Sequence, residues 1–138
     1  MTGTLQLAGW LTVTRLSLHV LAASIWVGGT LVLAGLVPTV REFDGATVKV
    51  ARAFAKMSWP AYWVLIATGI WNYLAVAHGT IAADWMIVFS VKIVAVAAAG
   101  YLGYRHTRAR SASARGAYAG ISALASVLAL VLGVALAG

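Results

Sequence analysis

The sequence predicts an all-α, integral membrane four-helix bundle, and three observations predict it. Hydrophobic residues fill 62% of the 138 positions and charged residues only 9%, a balance with too little polar surface for a soluble globule of this size. Apolar stretches recur four times, each near the roughly 20 residues that cross a bilayer core of about 30 Å. Eight of the ten Lys and Arg residues fall in two of the connecting segments.

The spans are placed near residues 10–37, 57–77, 84–104 and 117–137, in one domain because the connections are too short to fold alone. Each is a helix, since backbone polar groups cannot go unpaired in lipid. The first reads as a retained span and not a cleavable leader: no basic segment precedes it, its apolar run is too long, and Arg15 interrupts it. Pro38 with Arg41, Glu42, Asp44 and Gly45 ends that helix. Lys49 to Lys56 begins the second as an amphipathic extension at the interface, and Pro60 falls in its first spanning turns, where a missing amide is tolerated. His78-Gly79-Thr80 forms a tight turn into the third span. The fourth is Ala, Leu and Val with Ser122 and Ser126, preceded by Gly116 and Gly120 at a spacing that suits close helix contact.

Charge placement orients the bundle. Arg41, Lys49, Arg52 and Lys56 lie between spans one and two, and Arg105, Arg108, Arg110 and Arg115 between spans three and four. The positive-inside rule then puts loops 38–56 and 105–116 in the cytoplasm, with the N-terminus and C-terminus outside. Aromatic residues agree: Trp10, Trp71, Tyr73 and Trp85 mark an outer belt, and Trp59, Tyr62, Trp63, Tyr101, Tyr104 and Tyr118 an inner one. Trp26 stands at mid-depth. The net charge of +7 is therefore a topology signal that also meets anionic lipid headgroups. No nucleic-acid partner is expected, because the basic run lacks interleaved aromatic residues. The absence of cysteine excludes disulfides, thiolate metal sites and Cys-attached haem.

The two cations left over, Arg15 and Lys92, lie inside spans, and His19 stands one turn from Arg15. A central Lys costs about 2.5–3.5 kcal/mol on the insertion scale, and such residues usually mark where a membrane protein works. At about 1.5 Å per residue, His19 lies roughly 13 Å below Trp10, Lys92 roughly 12 Å below Asp84, and Asn72 roughly 9 Å from the outer end of span two, with Thr68 one turn deeper. Three helices thus carry their most polar groups at similar depth in the outer half. Helical spacing puts Thr12, Arg15, His19, Ala22, Ala23, Trp26 and Gly29 on one face, Leu65, Thr68, Gly69 and Asn72 on another, and Trp85, Phe89, Lys92, Val96, Ala99 and Gly103 on a third. The expected polar pocket is Thr68, Asn72, Lys92 and Trp26. Each member has a plainer role: Arg15 can snorkel to the headgroups, and His19, Thr68 and Asn72 can serve as hydrogen-bonding glue between helices.

Two ligand chemistries fit these residues. Copper(I) takes imidazole and thioether ligands, for which His19, Met86 and His78 are the outer-half candidates. A b-type haem takes an axial histidine, for which His19 serves, with Lys92, Met86 or His78 opposite and Arg15 placed for a propionate. No catalytic residues are assigned, since no intramembrane acid or Ser/His/Asp grouping is present, and enzymatic activity is not expected.

The run Leu18-His19-Val20-Leu21-Ala22-Ala23-Ser24-Ile25-Trp26-Val27-Gly28-Gly29 resembles the first helix of the copper-resistance protein D (CopD) family of bacterial inner-membrane proteins. Arg52-Ala53-Phe54 followed by Ala67-Thr68-Gly69-Ile70 resembles that family's next helix, and Val91-Lys92-Ile93 the one after. The resemblance runs from about residue 15 to 105 and implies copper binding or transport, with a periplasmic copper-binding protein as partner. The same His-then-Lys layout resembles HemJ-type protoporphyrinogen oxidases, four-helix proteins that bind haem b, which implies His19 as ligand and Lys92 as base or ligand. The sequence therefore leads to copper handling at the outer half of the inner membrane. The alternatives are a haem b-binding redox protein and a non-catalytic subunit of a larger membrane complex.

Overall fold

A computed structural model describes residues 6–137. Among these residues there are four helices and no strand: α1 (Trp10–Val40), α2 (Ala46–Val76), α3 (Ala83–Arg108) and α4 (Ala112–Ala137). Helices α1, α3 and α4 are long and apolar enough to cross a membrane. Helix α2, over which a span was expected at 57–77, is long enough but not among those three. Lys49, Arg52 and Lys56 occupy its first part, and Trp59, Pro60, Trp63, Asn72 and Tyr73 lower the hydropathy of the rest. Residues 1–5 and Gly138, the chain ends that the charge pattern assigns to the outside, fall outside the described residues.

Helix boundaries differ from expectation where a single residue was given too much weight. α1 runs through Pro38 to Val40. A proline there removes only the bond to Ala34, which lies on the exposed side of the helix. The helix ends when Glu42 and Phe43 amides turn back to Thr39 and Val40 carbonyls. Gly45 then takes φ of 71°, a left-handed conformation that suits glycine, and launches α2 three residues before Lys49.

The four helices form two antiparallel hairpins. In α1 and α2, Arg15 meets Asn72 and His19 meets Thr68, so four residues forward on one helix match four residues back on the other. In α3 and α4, Trp85 Nε1 donates to the Leu136 carbonyl at 3.4 Å, Ser122 Oγ to the Ala99 carbonyl at 2.7 Å, and His106 Nδ1 to the Arg115 carbonyl at 2.9 Å. One register therefore holds from end to end. The α3–α4 interface is built of small buried residues, Ala95, Ala99 and Gly100 against Ser122, Ser126 and Ala129, which let the backbones approach closely.

The hairpins join through aromatic rings. Trp26, Trp59 and Tyr62 pack with centroids 5.4, 4.7 and 5.8 Å apart, edge-on or tilted, the geometry that the ring quadrupole favours. Trp26 Nε1 donates to Ser126 Oγ at 3.0 Å, tying α1 to α4, and the Tyr62 hydroxyl donates to the Val96 carbonyl at 2.9 Å, tying α2 to α3. The turn Ser24–Gly28 of α1 is a π-helical turn. Its extra residue lets both Trp26 and Val27 face inward, whereas α-helical spacing brings in Trp26 alone.

A methyl group on Gly100 would overlap the Tyr62 hydroxyl and ring, which neighbouring rings and the Val96 bond hold in place. Gly100→Ala is expected to destabilise the bundle by about 1–3 kcal/mol in detergent unfolding. Gly116→Ala and Gly120→Ala, at positions with nothing within 4 Å, are expected to leave the midpoint unchanged or raise it.

Candidate functional site

The seven residues that share a face on α1, from Thr12 through Arg15, His19 and Trp26 to Gly29, are all buried or half-buried. Because α2 runs antiparallel, it presents Asn72 to Arg15 and Thr68 to His19. Arg15 Nη1 donates to Asn72 Oδ1 at 2.6 Å. His19 Nδ1 lies 2.7 Å from Thr68 Oγ1. Thr68 is 5% exposed and Gly69 follows it; a methyl on Gly69 would stand 3.6 Å from His19 Cε1, so the ring edge between the two nitrogens lies against that glycine.

The network assigns the histidine tautomer. The Thr68 hydroxyl sits 2.6 Å from the Val64 carbonyl and 3.3 Å from the Leu65 carbonyl of its own helix. A hydroxyl has one proton to donate, and these carbonyls take it. Thr68 Oγ1 therefore accepts from His19, and Nδ1 carries the hydrogen. In the neutral ring Nε2 then holds the free lone pair.

Lys92 on α3 is half-buried and extends toward α4, its Nζ 3.0 Å from where a Gly133 methyl would stand. Toward the start of α3, Phe89 stacks between Tyr73 and Trp85 with centroids 4.8 and 5.3 Å away and planes tilted by 17° and 14°, an aromatic cover between α2 and α3. No acidic residue belongs to this group. Glu42 and Asp44 lie in the α1–α2 loop, and Asp84 lies in the first turn of α3, accepting the Trp85 amide at 2.8 Å.

The structure thus joins His19 to Thr68 and Arg15 to Asn72, while Lys92 extends to Gly133 on the other hairpin. It does not join His78 to them: that residue sits exposed in the turn after α2, about 12 Å or more along the axis from Thr68. Met86 is half-buried on α3, about 9 Å outward of Lys92, and takes no part in the hydrogen-bonded group. Among the described residues no group of three His, Cys, Asp or Glu side chains stands ready to hold a metal. Trp26 belongs to the aromatic junction, with its N–H committed to Ser126. Sequence reasoning missed the Val64 carbonyl, whose claim on the Thr68 proton sets the tautomer, and Gly133, which makes room for Lys92. The Thr68 back-bond follows from a threonine inside a helix, but the Gly133 contact needs the α3–α4 register.

Compared with known proteins, the chain matches no family model, no curated protein and no solved structure.

Arg15 and Asn72 are expected to be energetically coupled. A double-mutant cycle with Arg15→Met and Asn72→Leu, read by unfolding in lipid-like detergent, should give an interaction of about 0.5–3 kcal/mol. Coupling near zero would mean that Arg15 extends to the headgroups instead.

Proposed function

We propose that this chain is a four-span protein of a bacterial cytoplasmic membrane that binds a transition metal through Nε2 of His19, held as haem b iron in preference to a bare copper ion. Three apolar helices, the basic loops and the two aromatic belts support the membrane reading, with loops 38–56 and 105–116 inward and both termini outward. α2 inserts as the fourth span in company with the others, its polar groups covered by α1 and α3.

One observation carries the site: Thr68 takes the Nδ1 hydrogen of His19, which orients the ring and leaves Nε2 as the ligand atom. This is the arrangement in which metal-binding histidines are ordinarily held, with the second nitrogen donating to an oxygen. The flanking charges favour haem over a bare ion. Arg15 is cationic one turn from His19 and no carboxylate offsets it, so a copper ion is repelled where haem propionates are attracted. His19 would hold the iron, while Arg15 and Lys92 would meet carboxylates. When bound, the haem supplies one-electron chemistry; this chain orients the imidazole, neutralises the acidic substituents and excludes water with the Tyr73–Phe89–Trp85 stack.

Copper is the second reading, because the free Nε2 suits copper(I) equally well and Met86 lies half-buried on the outer side of Lys92. It adds His78 as a ligand at the outer mouth and a periplasmic copper-binding protein as the source of metal. A subunit role in a larger membrane complex remains the reading in which these polar residues only fix helix packing.

Absorption and metal analysis of the detergent-purified protein decide among them. A Soret band lost in His19→Ala is the expected result, with Thr68→Val weakening haem retention by about 10–100-fold. Stoichiometric copper without a chromophore would replace haem by copper. Absence of both ligands, with His19→Ala unchanged in stability and cellular phenotype, would remove both.

A further inference from the structure

The α3–α4 turn carries a second polar construction that the metal reading does not use. A hollow of about 370 Å³ opens there, lined by Arg105, Arg108, Arg110, Ser111 and Tyr118 among others. It offers roughly twelve times the ~30 Å³ share of one water. Two of the arginines on its wall are held by tyrosines. Arg105 Nη1 donates to the Tyr101 hydroxyl at 2.9 Å and Nη2 to the Tyr118 hydroxyl at 3.0 Å, with its guanidinium 5.8 and 5.1 Å from those ring centroids. Arg108 lies 5.2 Å over the Tyr104 ring.

The loop itself is latched. Arg115 Nη2 donates to the Ala109 carbonyl at 3.1 Å, and His106 Nδ1 donates to the Arg115 carbonyl at 2.9 Å. Ser111 Oγ accepts the Ala114 amide at 3.2 Å, which makes it the N-cap of α4. Ser111 and Ala114 at the start of that helix line the same hollow as the guanidiniums, and a helix N-terminus and guanidiniums both favour an anion. No Asp or Glu occurs anywhere after Asp84, so the chain supplies no anion of its own here.

We propose that this hollow is a binding site for the phosphate of an anionic phospholipid, clamped by Arg105, Arg108 and Arg110 at the start of α4. Planar guanidiniums suit phosphate oxygens in paired hydrogen bonds, and rings flanking them hold them in place before binding. Three tyrosines around the mouth, two of them more than 40% exposed, suit the boundary between headgroups and acyl chains, where the ligand's glycerol and tails would run. The cations of the other loop provide the control: Arg41, Lys49, Arg52 and Lys56 are spread over residues 41–56 and form no part of this hollow's wall.

The inference rests on the membrane reading and not on the metal. Its test uses the full chain in detergent with added phosphatidylglycerol or phosphatidylcholine, and native mass spectrometry to count retained lipid. Arg105→Gln, Arg108→Gln and Arg110→Gln together should weaken phosphatidylglycerol retention at least about tenfold. The charge-matched triple Arg41→Gln, Arg52→Gln, Lys56→Gln should change it by less than about twofold, and Tyr118→Phe, which keeps the ring but frees Arg105, should weaken it by about threefold. Phosphatidylcholine should bind equally to all four proteins. Equal losses in the two triple variants would overturn the proposal in favour of general charge attraction. Displacement of the lipid by millimolar inorganic phosphate would overturn the lipid assignment. Carbonate extraction of cell membranes, run on the same variants, tests insertion separately: a protein that washes off fails the membrane reading itself.

Discussion

A polar side chain that cannot bond a carbonyl of its own helix must find its partner on another, and this constraint sets the arrangement of the bundle. Arg15 and His19 fix the rotation and register of α1 against α2. Trp85, Ser122 and His106 do the same for α3 against α4, and Trp26 and Tyr62 lock one hairpin to the other. Such bonds average only about 0.6 kcal/mol in a membrane protein, so their sum does not hold the bundle together. Their effect is selective: any other rotation leaves polar groups unpaired in apolar surroundings, which costs several times more. Small residues at α3–α4 and aromatic rings between the hairpins then fill the space that this geometry defines.

The site is a by-product of the same rule with one member left over. Thr68 satisfies itself against the Val64 carbonyl and can offer His19 only a lone pair. The imidazole is thereby oriented with one nitrogen committed and the other free. Arg15 is satisfied by Asn72 through a single N–H and keeps donors to spare. Lys92 lies against Gly133, on the opposite hairpin. On the haem reading proposed above, Arg15 and the oriented imidazole, with no carboxylate beside them, would suit an acidic ligand that also needs a nitrogen donor.

Much of this was legible in the sequence. The inward faces of α1, α2 and α3 follow from helical spacing, and the pairing of the Arg15–His19 turn with the Thr68–Asn72 turn follows from their positions on adjacent helices. The π turn was hidden, because Val27 reaches the interior only through an inserted residue that no apolar periodicity announces. Pro38 misled, since a proline bars a helix only where its missing bond matters. Gly116 and Gly120 have the spacing of a helix contact, yet both lie open among the described residues. At the basic turn the Tyr101–Arg105 pair was visible as a four-residue step. Tyr118 joins them across the hairpin, and no local pattern places it there.

The most direct test of the central claim is the protonation of the His19 ring, read from imidazole ¹⁵N shifts of the labelled protein in detergent at mildly alkaline pH. A protonated Nδ1 and a lone-pair Nε2, with that pattern lost in Thr68→Val, is the result that the Thr68–Val64 network demands. A ring protonated at Nε2, or one indifferent to Thr68→Val, would contradict it and leave His19 without a free ligand atom facing the bundle.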